Sequence, residues 1–249
     1  MEAAITLADR GHEVILCEKS STLGGEMKEA KYISFKQDME KLRQVLVNRI
    51  AERPIEVRLN TEVTPELAKS IDPDAIIAAL GAKPKIPDIP GAGGDNVFYA
   101  VGINSRLGSI GKKAVIIGGG LVGCELSIQL AQEGREVTVL GRNAMLCRDA
   151  PYLHHEGVIL EMARNNVKSY TGAVCREITA DGVKAVTEGK EMFIPADSVI
   201  IATGVEPLSA EAEALRGIAK DFVKIGDCKF PRNMYNALRE GFNAAAFLC

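Results

Sequence analysis

The stretch KKAVIIGGGLVGCELSIQLAQEGREVTVLGR, residues 112–142, decides how the rest of the chain is interpreted. Residues 114–117 form an apolar, β-branched run, which is typical of a buried parallel strand. Residues 121–132 follow as a predicted helix that ends near Gly134, a common residue at helix C-termini. Residues 136–140 are predicted to be a second strand, so the stretch reads as strand, glycine-rich turn, helix and strand.

Three glycines occupy the turn between the first strand and the helix. Gly118, Gly120 and Gly123 have G-x-G-x-x-G spacing, in which the first glycine permits the tight turn. The second lets the backbone approach a pyrophosphate, and the third lets the helix pack closely on the strand. Phosphates would then lie at the helix N-terminus, where free N–H groups and the helix dipole favour negative charge. The pattern predicts dinucleotide binding; the alternative is a helix that only packs closely on a strand.

The end of the second strand selects between nucleotides. An acidic residue there would bind the ribose hydroxyls of NAD or FAD, but this sequence has Gly141 followed by Arg142. The missing carboxylate removes repulsion and a guanidinium can bind a 2′-phosphate, so we expect NADPH to be preferred over NADH. Arg142 is alternatively an ordinary solvated arginine. Leu121 and Val122, which open the helix, and Gly204 complete the candidate residues for binding NADP(H) or NAD(H).

Length and composition describe an ordinary globular protein. The 249 residues suffice for two domains, and 47% hydrophobic with 25% charged residues is typical of globular chains. A net charge of −3 gives no reason to expect nucleic acid or an anionic membrane as a partner. No apolar run approaches the roughly 20 residues of a membrane helix, and the N-terminus lacks the features of a secretory signal. We therefore expect a cytoplasmic protein.

The cysteines and histidines form no recognisable ligand or catalytic pattern. The spacing of the six cysteines supports neither a zinc site nor an iron–sulfur cluster, and the missing C-x-x-C pair argues against a disulfide reductase. We expect Cys17 and Cys124 to pack in the core. No carboxylate or cysteine is placed to make a base or ligand of His12, His154 or His155, which we expect to be structural or solvated. No nucleophile shows a triad pattern, so we name no catalytic residue.

Two separate blocks of the sequence recur with one offset. Residues 11–19 (GHEVILCEK) match residues 134–142 (GREVTVLGR), an offset of 123 residues (134 − 11). Residues 74–81 (DAIIAALG) match residues 197–204 (DSVIIATG) with the same offset. Two blocks that keep one offset indicate two copies of one nucleotide-binding unit.

The first copy of this unit is incomplete within the sequence. At the same offset Cys124 corresponds to Met1, so the counterparts of residues 114–117 and of the three glycines would precede Met1. We expect either a fragment or a start assigned at an internal methionine. The missing strand would be central to its sheet, so its absence should reduce apolar burial and leave neighbouring strand edges unpaired.

Periodicity and turn residues predict the remaining elements. Thr64 followed by Pro65 predicts a helix start, and residues 83–94 are too rich in proline and glycine for regular structure. A helix capped by Ser34 is predicted from apolar residues at helical spacing, which we expect in the core: Phe35, Met39, Leu42, Leu46 and Ile50. The other predicted helices are 1–10, 152–165, 210–215 and 232–248, and the other strands are 13–18, 55–59, 198–203 and 222–225, with a β-meander over 173–194.

Four segments extend the pattern over nearly the whole chain: GHEVILCEKSSTLGGEMKEA, PDAIIAALGAKPKIPDIPG, KKAVIIGGGLVGCELSIQLAQEG and VKIGDCKFPRNMYNALREGFNAA. In this order they resemble the C-terminal half of the NADH:flavin oxidoreductase/2-enoate reductase family, which includes 2,4-dienoyl-CoA reductase and trimethylamine dehydrogenase. The resemblance implies an α/β fold with two Rossmann-like dinucleotide-binding domains, the second inserted into the first, and a small β-meander. An FAD-binding domain would comprise residues 1–105 and 215–249, and an NAD(P)H-binding domain residues 106–214.

The resemblance also implies a set of cofactor contacts. Glu125 falls where such reductases have an acidic residue near the nicotinamide amide. The sequence departs from the family at Leu80, where threonine is usual, and at Glu26, where glutamine is common. The residues placed around FAD are Glu18 and Lys19 near the adenosine, Gly24 and Gly25 near the pyrophosphate, Val63, Ala79, Leu80 and Gly81 beside the adenine, and Gly226 and Asp227 near the pyrophosphate and ribityl chain.

Members of this family have an N-terminal barrel that carries FMN and an iron–sulfur cluster, and neither the barrel nor the cluster cysteines are in this sequence. We therefore expect an NAD(P)H-binding electron-entry module that passes hydride from NADPH to FAD, with such a barrel as its partner domain. The alternatives are a catalytically inactive NADP(H)-binding fragment without flavin and a free-standing NAD(P)H:acceptor reductase. The final electron acceptor is left open, and so is whether the chain forms a homo-oligomer.

Overall fold

The computed structural model describes residues 1–148 and 150–248. They form two compact units, Met1–Lys83 with Glu206–Cys249 and Pro84–Val205, which we call the first unit and the second unit. The α-helices are α1 (Glu2–Asp9), α2 (Gln37–Ala51), α3 (Pro65–Ile71), α4 (Leu121–Gln132), α5 (Tyr152–Arg164), α6 (Ser209–Glu213) and α7 (Met234–Ala246). The strands are β1 (Val14–Cys17), β2 (Ile55–Arg58), β3 (Ala75–Ala78), β4 (Ala82–Pro84), β5 (Val97–Tyr99), β6 (Lys113–Ile117), β7 (Glu136–Gly141), β8 (Lys168–Thr171), β9 (Val174–Thr179), β10 (Gly182–Thr187), β11 (Lys190–Pro195), β12 (Ser198–Ile201), β13 (Val205–Pro207) and β14 (Asp221–Lys224).

A five-stranded parallel sheet is the centre of the second unit. Its strand order is β5-β12-β6-β7-β8, so β6 is the middle strand. Ile116 of β6 lies in register between Ile200 of β12 and Val139 of β7, and all three side chains are fully buried. The apolar run predicted from the sequence is therefore the strand that both neighbours pack against.

Alternate residues of β6 belong to two different apolar layers. Ile116 packs in one core with residues of α4 and α5, among them Ile128 and Met162. Val115 and Ile117 belong to a second core, shared with the antiparallel meander of β9, β10 and β11. Helices therefore cover one face of the sheet and the meander covers the other, because successive side chains of a strand point to opposite faces. The predicted α/β fold and its meander are confirmed.

The first unit has two separate two-stranded parallel pairs. β1 pairs with β2, and β3 pairs with β14. The offset of 123 residues makes β1 the counterpart of β7 and β3 the counterpart of β12, and β14 lies beside β3 as β5 lies beside β12. Among the described residues, no strand joins β1 to β3 as β6 joins β7 to β12. The expected unpaired strand edges are therefore found on β1 and β3.

Several local predictions differ from the structure. Ser34 does not cap α2, which begins at Gln37 after a short 3-10 turn that contains Ser34. Of the five predicted core residues only Leu46 and Ile50 are buried, and Phe35 is 45% exposed. Phe35 precedes the helix, so it does not share the helical face on which the prediction relied. β5 and β8 were not predicted, because such short strands carry too few alternating residues.

The division into units falls at other residues than the predicted domain ranges. Residues 84–105 belong to the second unit and residues 206–214 to the first. Residues 84–105 belong to the second unit because their strand β5 pairs with β12. Residues 206–214 belong to the first unit because Ala212 packs in one core with Ala78 of β3. The connecting segments carry β4 and β13, which pair with each other. In the part of the chain that the structure describes, no helix is long and apolar enough to cross a membrane.

Candidate functional site

The turn between β6 and α4 contains two glycines that the fold itself requires. Gly118 has a φ of +131°, and a Cβ atom there would lie 2.2 Å from the carbonyl oxygen of Ala202. A Cβ atom at Gly123 would lie 2.0 Å from the carbonyl oxygen of Gly118. Both distances are far below van der Waals contact, so Gly118 makes the tight turn and Gly123 lets α4 start directly against it.

Gly120, by contrast, faces open space. No heavy atom of residues 1–148 or 150–248 lies within 4 Å of the position of its Cβ, and its φ of −77° and ψ of 177° are values that any residue adopts. It is the N-cap of α4 without a capping side chain, and the Cys124 N–H donates to its carbonyl oxygen at 3.1 Å. The N–H groups of Leu121, Val122 and Gly123 precede this first intrahelical bond, so they and the helix dipole favour an anion at this end.

The surface at this helix start is open. Val122 is 59% exposed, although valine is usually buried. A cavity of about 200 Å³ in the second unit is lined by residues that include Phe98, Tyr99 and Ile103, and none of its lining residues belongs to the glycine turn. The turn therefore suits an extended ligand that lies along the surface with its phosphates at the helix start.

The loop after β7, residues 142–148, is held against the glycine turn. The Cys147 N–H donates to the Gly119 carbonyl oxygen at 2.8 Å. The Cδ2 atom of Leu146 lies 2.5 Å from the Cβ position of Gly119 and 2.7 Å from that of Gly141. Packing of Leu146 is thus a structural reason for a glycine at the end of β7. Arg142 is exposed next to it, and its contact with a 2′-phosphate stays a prediction.

A buried carboxylate lies in the first turns of α4. Glu125 is 2% exposed, and its Oε1 lies 3.3 Å from Nε2 of His154 on α5. His154 and His155 thus each have a carboxylate beside them, since Nδ1 of His155 lies 3.1 Å from Oε1 of Glu156; that neither acts as a base or ligand stays a prediction. The Glu125–His154 contact joins two packed helices, and no pattern within either helix indicates it.

Gly204 lies in the short turn between β12 and β13. Its φ is +103°, and its carbonyl oxygen accepts the Lys85 N–H at 3.0 Å. A role of Gly204 in nucleotide binding stays a prediction. Within residues 1–148 and 150–248, no group of three or more His, Cys, Asp or Glu side chains is arranged to hold a metal ion.

Residues 1–221 match the sequence profile of the pyridine nucleotide-disulphide oxidoreductases. The chain belongs to this family. An NADH oxidase of Thermoanaerobacter brockii is 33% identical over 98% of this chain and 39% of its own length, and a cinnamate reductase of Clostridium sporogenes is 31% identical over 98% and 37%. A solved 2-naphthoyl-CoA reductase superimposes with a TM-score of 0.95 at 33% identity, covering 99% of this chain and 38% of that one. The chain spans about two fifths of the length of these relatives.

As a pyridine nucleotide-disulphide oxidoreductase domain, the chain is an oxidoreductase module of the NAD(P)H- and FAD-dependent type. The nucleotide side agrees with the geometry of the second unit, because the glycine turn leaves room at Gly120 and free N–H groups at the start of α4. FAD binding would depend on residues of the first unit, and the contacts of those residues show whether they could hold the flavin.

The phosphate-facing residues that the resemblance assigns to FAD are engaged with protein groups. The Gly226 N–H donates to Oε2 of Glu240 at 2.8 Å, and Oδ1 of Asp227 accepts a backbone N–H at 3.2 Å. A Cβ atom at Gly24 would lie 2.6 Å from Cδ of Arg43. Because these groups already have partners within the protein, Gly24, Gly226 and Asp227 do not form an open phosphate site.

The residues that the resemblance assigns to the FAD adenosine lie at the ends of elements of the first unit, and their contact with FAD stays a prediction. Glu18 follows β1, and its Oε1 accepts the Ser20 N–H at 2.8 Å. Burial, with the neighbouring Glu29 carboxylate as the next cause, raises the pKa of Glu26, so this position is unfavourable for a further negative charge. The other assigned residues lie at element ends: Lys19 after β1, Gly25 at the start of a 3-10 turn, Val63 before α3, and Ala79, Leu80 and Gly81 after β3.

Proposed function

We propose that the second unit binds a reduced pyridine nucleotide at its glycine turn and acts as the electron-entry module of a flavin-dependent oxidoreductase. The observation that carries this proposal is the open space at Gly120. Gly118 and Gly123 are required by backbone contacts, whereas none of the residues that the structure describes requires glycine at position 120. Close approach of a pyrophosphate to the start of α4 gives that glycine a reason.

The residues of the second unit would bind and orient the nucleotide rather than transfer protons. The N–H groups at the start of α4 would hold its phosphates, and the buried Glu125 carboxylate would accept a hydrogen bond from the nicotinamide carboxamide. His154 lies 3.3 Å from Glu125 and would keep that carboxylate in place. The bound nucleotide supplies a hydride, for which the family implies a flavin as acceptor, so no side-chain acid or base is needed.

We propose NADPH as the preferred nucleotide. Arg142 is exposed directly after β7, and Gly141 offers no carboxylate to repel a 2′-phosphate. A charge-assisted hydrogen bond contributes about 1.5–3 kcal/mol, so Arg142→Gln should weaken NADPH binding by about 10- to 150-fold and leave NADH binding unchanged. Fluorescence titration with both nucleotides measures this. An equal loss for NADPH and NADH would exclude a 2′-phosphate contact.

The whole enzyme would contain more than this module. The relatives are more than twice as long as this chain. By the resemblance to the 2-enoate reductases, the partner would be a barrel domain with FMN and an iron–sulfur cluster that reduces an unsaturated substrate.

Substitution of Gly120 tests the nucleotide site. Gly120→Val adds a side chain where the pyrophosphate would lie, and its backbone conformation accepts valine without strain. We expect at least a hundredfold loss of NADPH affinity with an unchanged circular dichroism spectrum. Gly108→Val is the matched control, because Gly108 in the same unit also faces open space. Unchanged NADPH affinity of Gly120→Val would overturn the proposal.

A nucleotide-binding protein without flavin is the second candidate function. The hydrogen bond from Gly226 to Glu240 favours it, because that N–H would otherwise be offered to the flavin pyrophosphate. Colour discriminates between the two. Purified protein that is yellow and bleaches with NADPH supports the electron-entry module, and colourless protein that still binds NADPH supports the second candidate.

A further inference from the structure

Two thiols lie beneath the glycine turn of the second unit. Cys124 is in the first turn of α4, and Cys147 is near the end of the loop after β7. Cys124 is 0% and Cys147 1% exposed. Both contact the same backbone atom, because Sγ of Cys124 lies 3.7 Å from the Gly119 carbonyl oxygen and the Cys147 N–H donates to that oxygen at 2.8 Å. The two residues are therefore brought together although 22 positions separate them (147 − 124).

The two thiols are also close enough to change each other's pKa. The hydrogen bond with the Cys147 thiol, followed by burial, raises the pKa of Cys124, and the same bond lowers the pKa of Cys147. Their common contact with Gly119 holds both cysteines at one point of the fold, and a disulfide between them would need an S–S length of about 2 Å. Cys147 thus has the chemistry of the attacking thiol and Cys124 that of the resolving thiol.

The backbone at Cys147 supports a special role for this position. Its φ is +47°, in the left-handed region that few residues other than glycine adopt. Such a conformation persists only where surrounding contacts hold it, and the bond to Gly119 is one of them. The preceding loop residues 142–145 are exposed, so opening of this loop gives a small oxidant access to both thiols.

We propose that Cys124 and Cys147 are a redox modification site, at which a small two-electron oxidant forms a reversible disulfide. With an azo oxidant such as diamide, the Cys147 thiolate adds to one nitrogen, and Cys124 then displaces that nitrogen from sulfur. The two thiols lose two electrons and two protons, and the azo group becomes a hydrazine. An external thiol reduces the disulfide again by exchange.

The disulfide would restrain two parts of the nucleotide site at once. One cysteine lies in the helix turn that offers N–H groups to the phosphates, and the other lies in the loop that carries Arg142. A disulfide would pull the loop of residues 142–148 towards the first turn of α4 and narrow the space over Gly120. The oxidised protein should therefore bind NADPH at least fivefold more weakly. This consequence rests on the proposed function, whereas formation of the disulfide does not.

Peptide mapping of the full chain without nucleotide tests the disulfide directly. After diamide treatment and trypsin digestion without reductant, we expect residues 114–135 and 143–148 as one linked peptide, two hydrogen atoms lighter than the pair. Reductant should separate them. The control Cys175→Ser should leave the linkage intact, because Cys175 lies apart in β9 and burial raises its pKa to about 11. Absence of the linked peptide, or random pairing of all cysteines, would overturn the proposal.

Nucleotide titration tests the restraint. The fivefold loss of NADPH affinity on oxidation should be reversed by reductant and should be absent in both Cys147→Ser and Cys147→Ala. Two variants are used because either one could fail to fold, and circular dichroism shows whether each is folded. A linked peptide with unchanged NADPH affinity would refute the restraint. If reduced protein fails to bind NADPH at all, the proposed function fails, and the peptide map still decides whether the disulfide forms.

Discussion

Equivalent strands of the two units bury equivalent side chains to different extents. Ile200 of β12 is fully buried, whereas Ile77, its counterpart in β3, is half-buried. Val139 of β7 and Leu16 of β1 differ in the same way. The local patterns are alike, but only the second unit has a middle strand, β6, between these neighbours in the described residues. Local sequence thus specifies where a strand forms, and its neighbours decide how much it buries.

Two helices of the first unit, α3 and α7, begin differently from α4 of the second unit. In the first unit, Oγ1 of Thr64 accepts the Leu67 N–H at 3.3 Å, and Oδ1 of Asn233 accepts the Asn236 N–H at 3.1 Å. In the second unit α4 begins at Gly120 without a capping side chain. A capping side chain stabilises a protein by about 1 kcal/mol. The helix α4 lacks this stabilisation, and no described side chain caps the N–H groups of its first turn.

The largest effect is expected from separating α4 from the turn in the second unit. A Cβ at Gly123 would lie 2.0 Å from a backbone oxygen, which cannot turn aside as a flexible side chain can. We expect Gly123→Val to cost more than about 4 kcal/mol and to unfold the second unit. Urea unfolding followed by circular dichroism measures this. A native-like unfolding curve would contradict the close packing that distinguishes this turn from open positions such as Gly108.

The burial difference between equivalent strands predicts unequal costs of truncation. Ile200→Ala should lower the free energy of unfolding by about 2–5 kcal/mol, because it leaves a cavity in a closed core. Ile77→Ala should cost about half as much or less, since this side chain is already partly in water. Urea unfolding of both variants provides the comparison.

A chimera sharpens the same comparison. A copy of residues 112–123 placed directly before Met1 would supply the middle strand in register, because Met1 corresponds to Cys124 in the repeat. In this chimera Ile77→Ala should become as costly as Ile200→Ala. Equal costs in the unaltered chain, or an unchanged cost of Ile77→Ala in the chimera, would show that burial does not depend on the middle strand.

A capping side chain at the start of α4 should raise the free energy of unfolding and weaken nucleotide binding. Gly120→Asp places a carboxylate at an N-cap whose backbone already suits one, so we expect a gain of about 1 kcal/mol in stability. The same charge should abolish NADPH binding by repelling the phosphates. Thr64→Ala is the mirror-image control, with an expected loss of about 1 kcal/mol and no change in nucleotide affinity. A destabilised Gly120→Asp would mean that the helix start is not free.

The smallest effect concerns an exposed charge cluster in the first unit. Hydrogen bonds from Arg216 and then from Lys224 lower the pKa of Glu213 to about 2 from 4.5. Since the folded-state pKa is depressed, this stabilisation is present above about pH 4.5 and is lost as the pH falls towards 2. Wild type should be slightly more stable than Glu213→Gln at pH 7, and the difference should vanish near pH 2. A difference that is constant from pH 7 to pH 2 would exclude the carboxylate as its source.

Local residue choice predicted much of this molecule. The β-branched run of β6, the cap of Thr64 with Pro65 and the turns of the meander each depend on neighbours within a few positions, and each prediction is confirmed. The repeat identified the equivalent strands of the two units from the offset alone. By contrast Phe35, which fits a helical spacing, is exposed, because the chain ahead of α2 leaves the helix axis.

The sequence by itself determined the strands and helices, the two related units and the glycine turn, because these follow from the periodicity and backbone freedom of adjacent residues. Only the tertiary structure decided that Glu125 meets His154, that Leu146 fills the space beside Gly141, and that Cys124 and Cys147 share Gly119. These contacts join residues from different helices and loops. No local pattern encodes them, since they exist only after the sheet and its covering helices have packed.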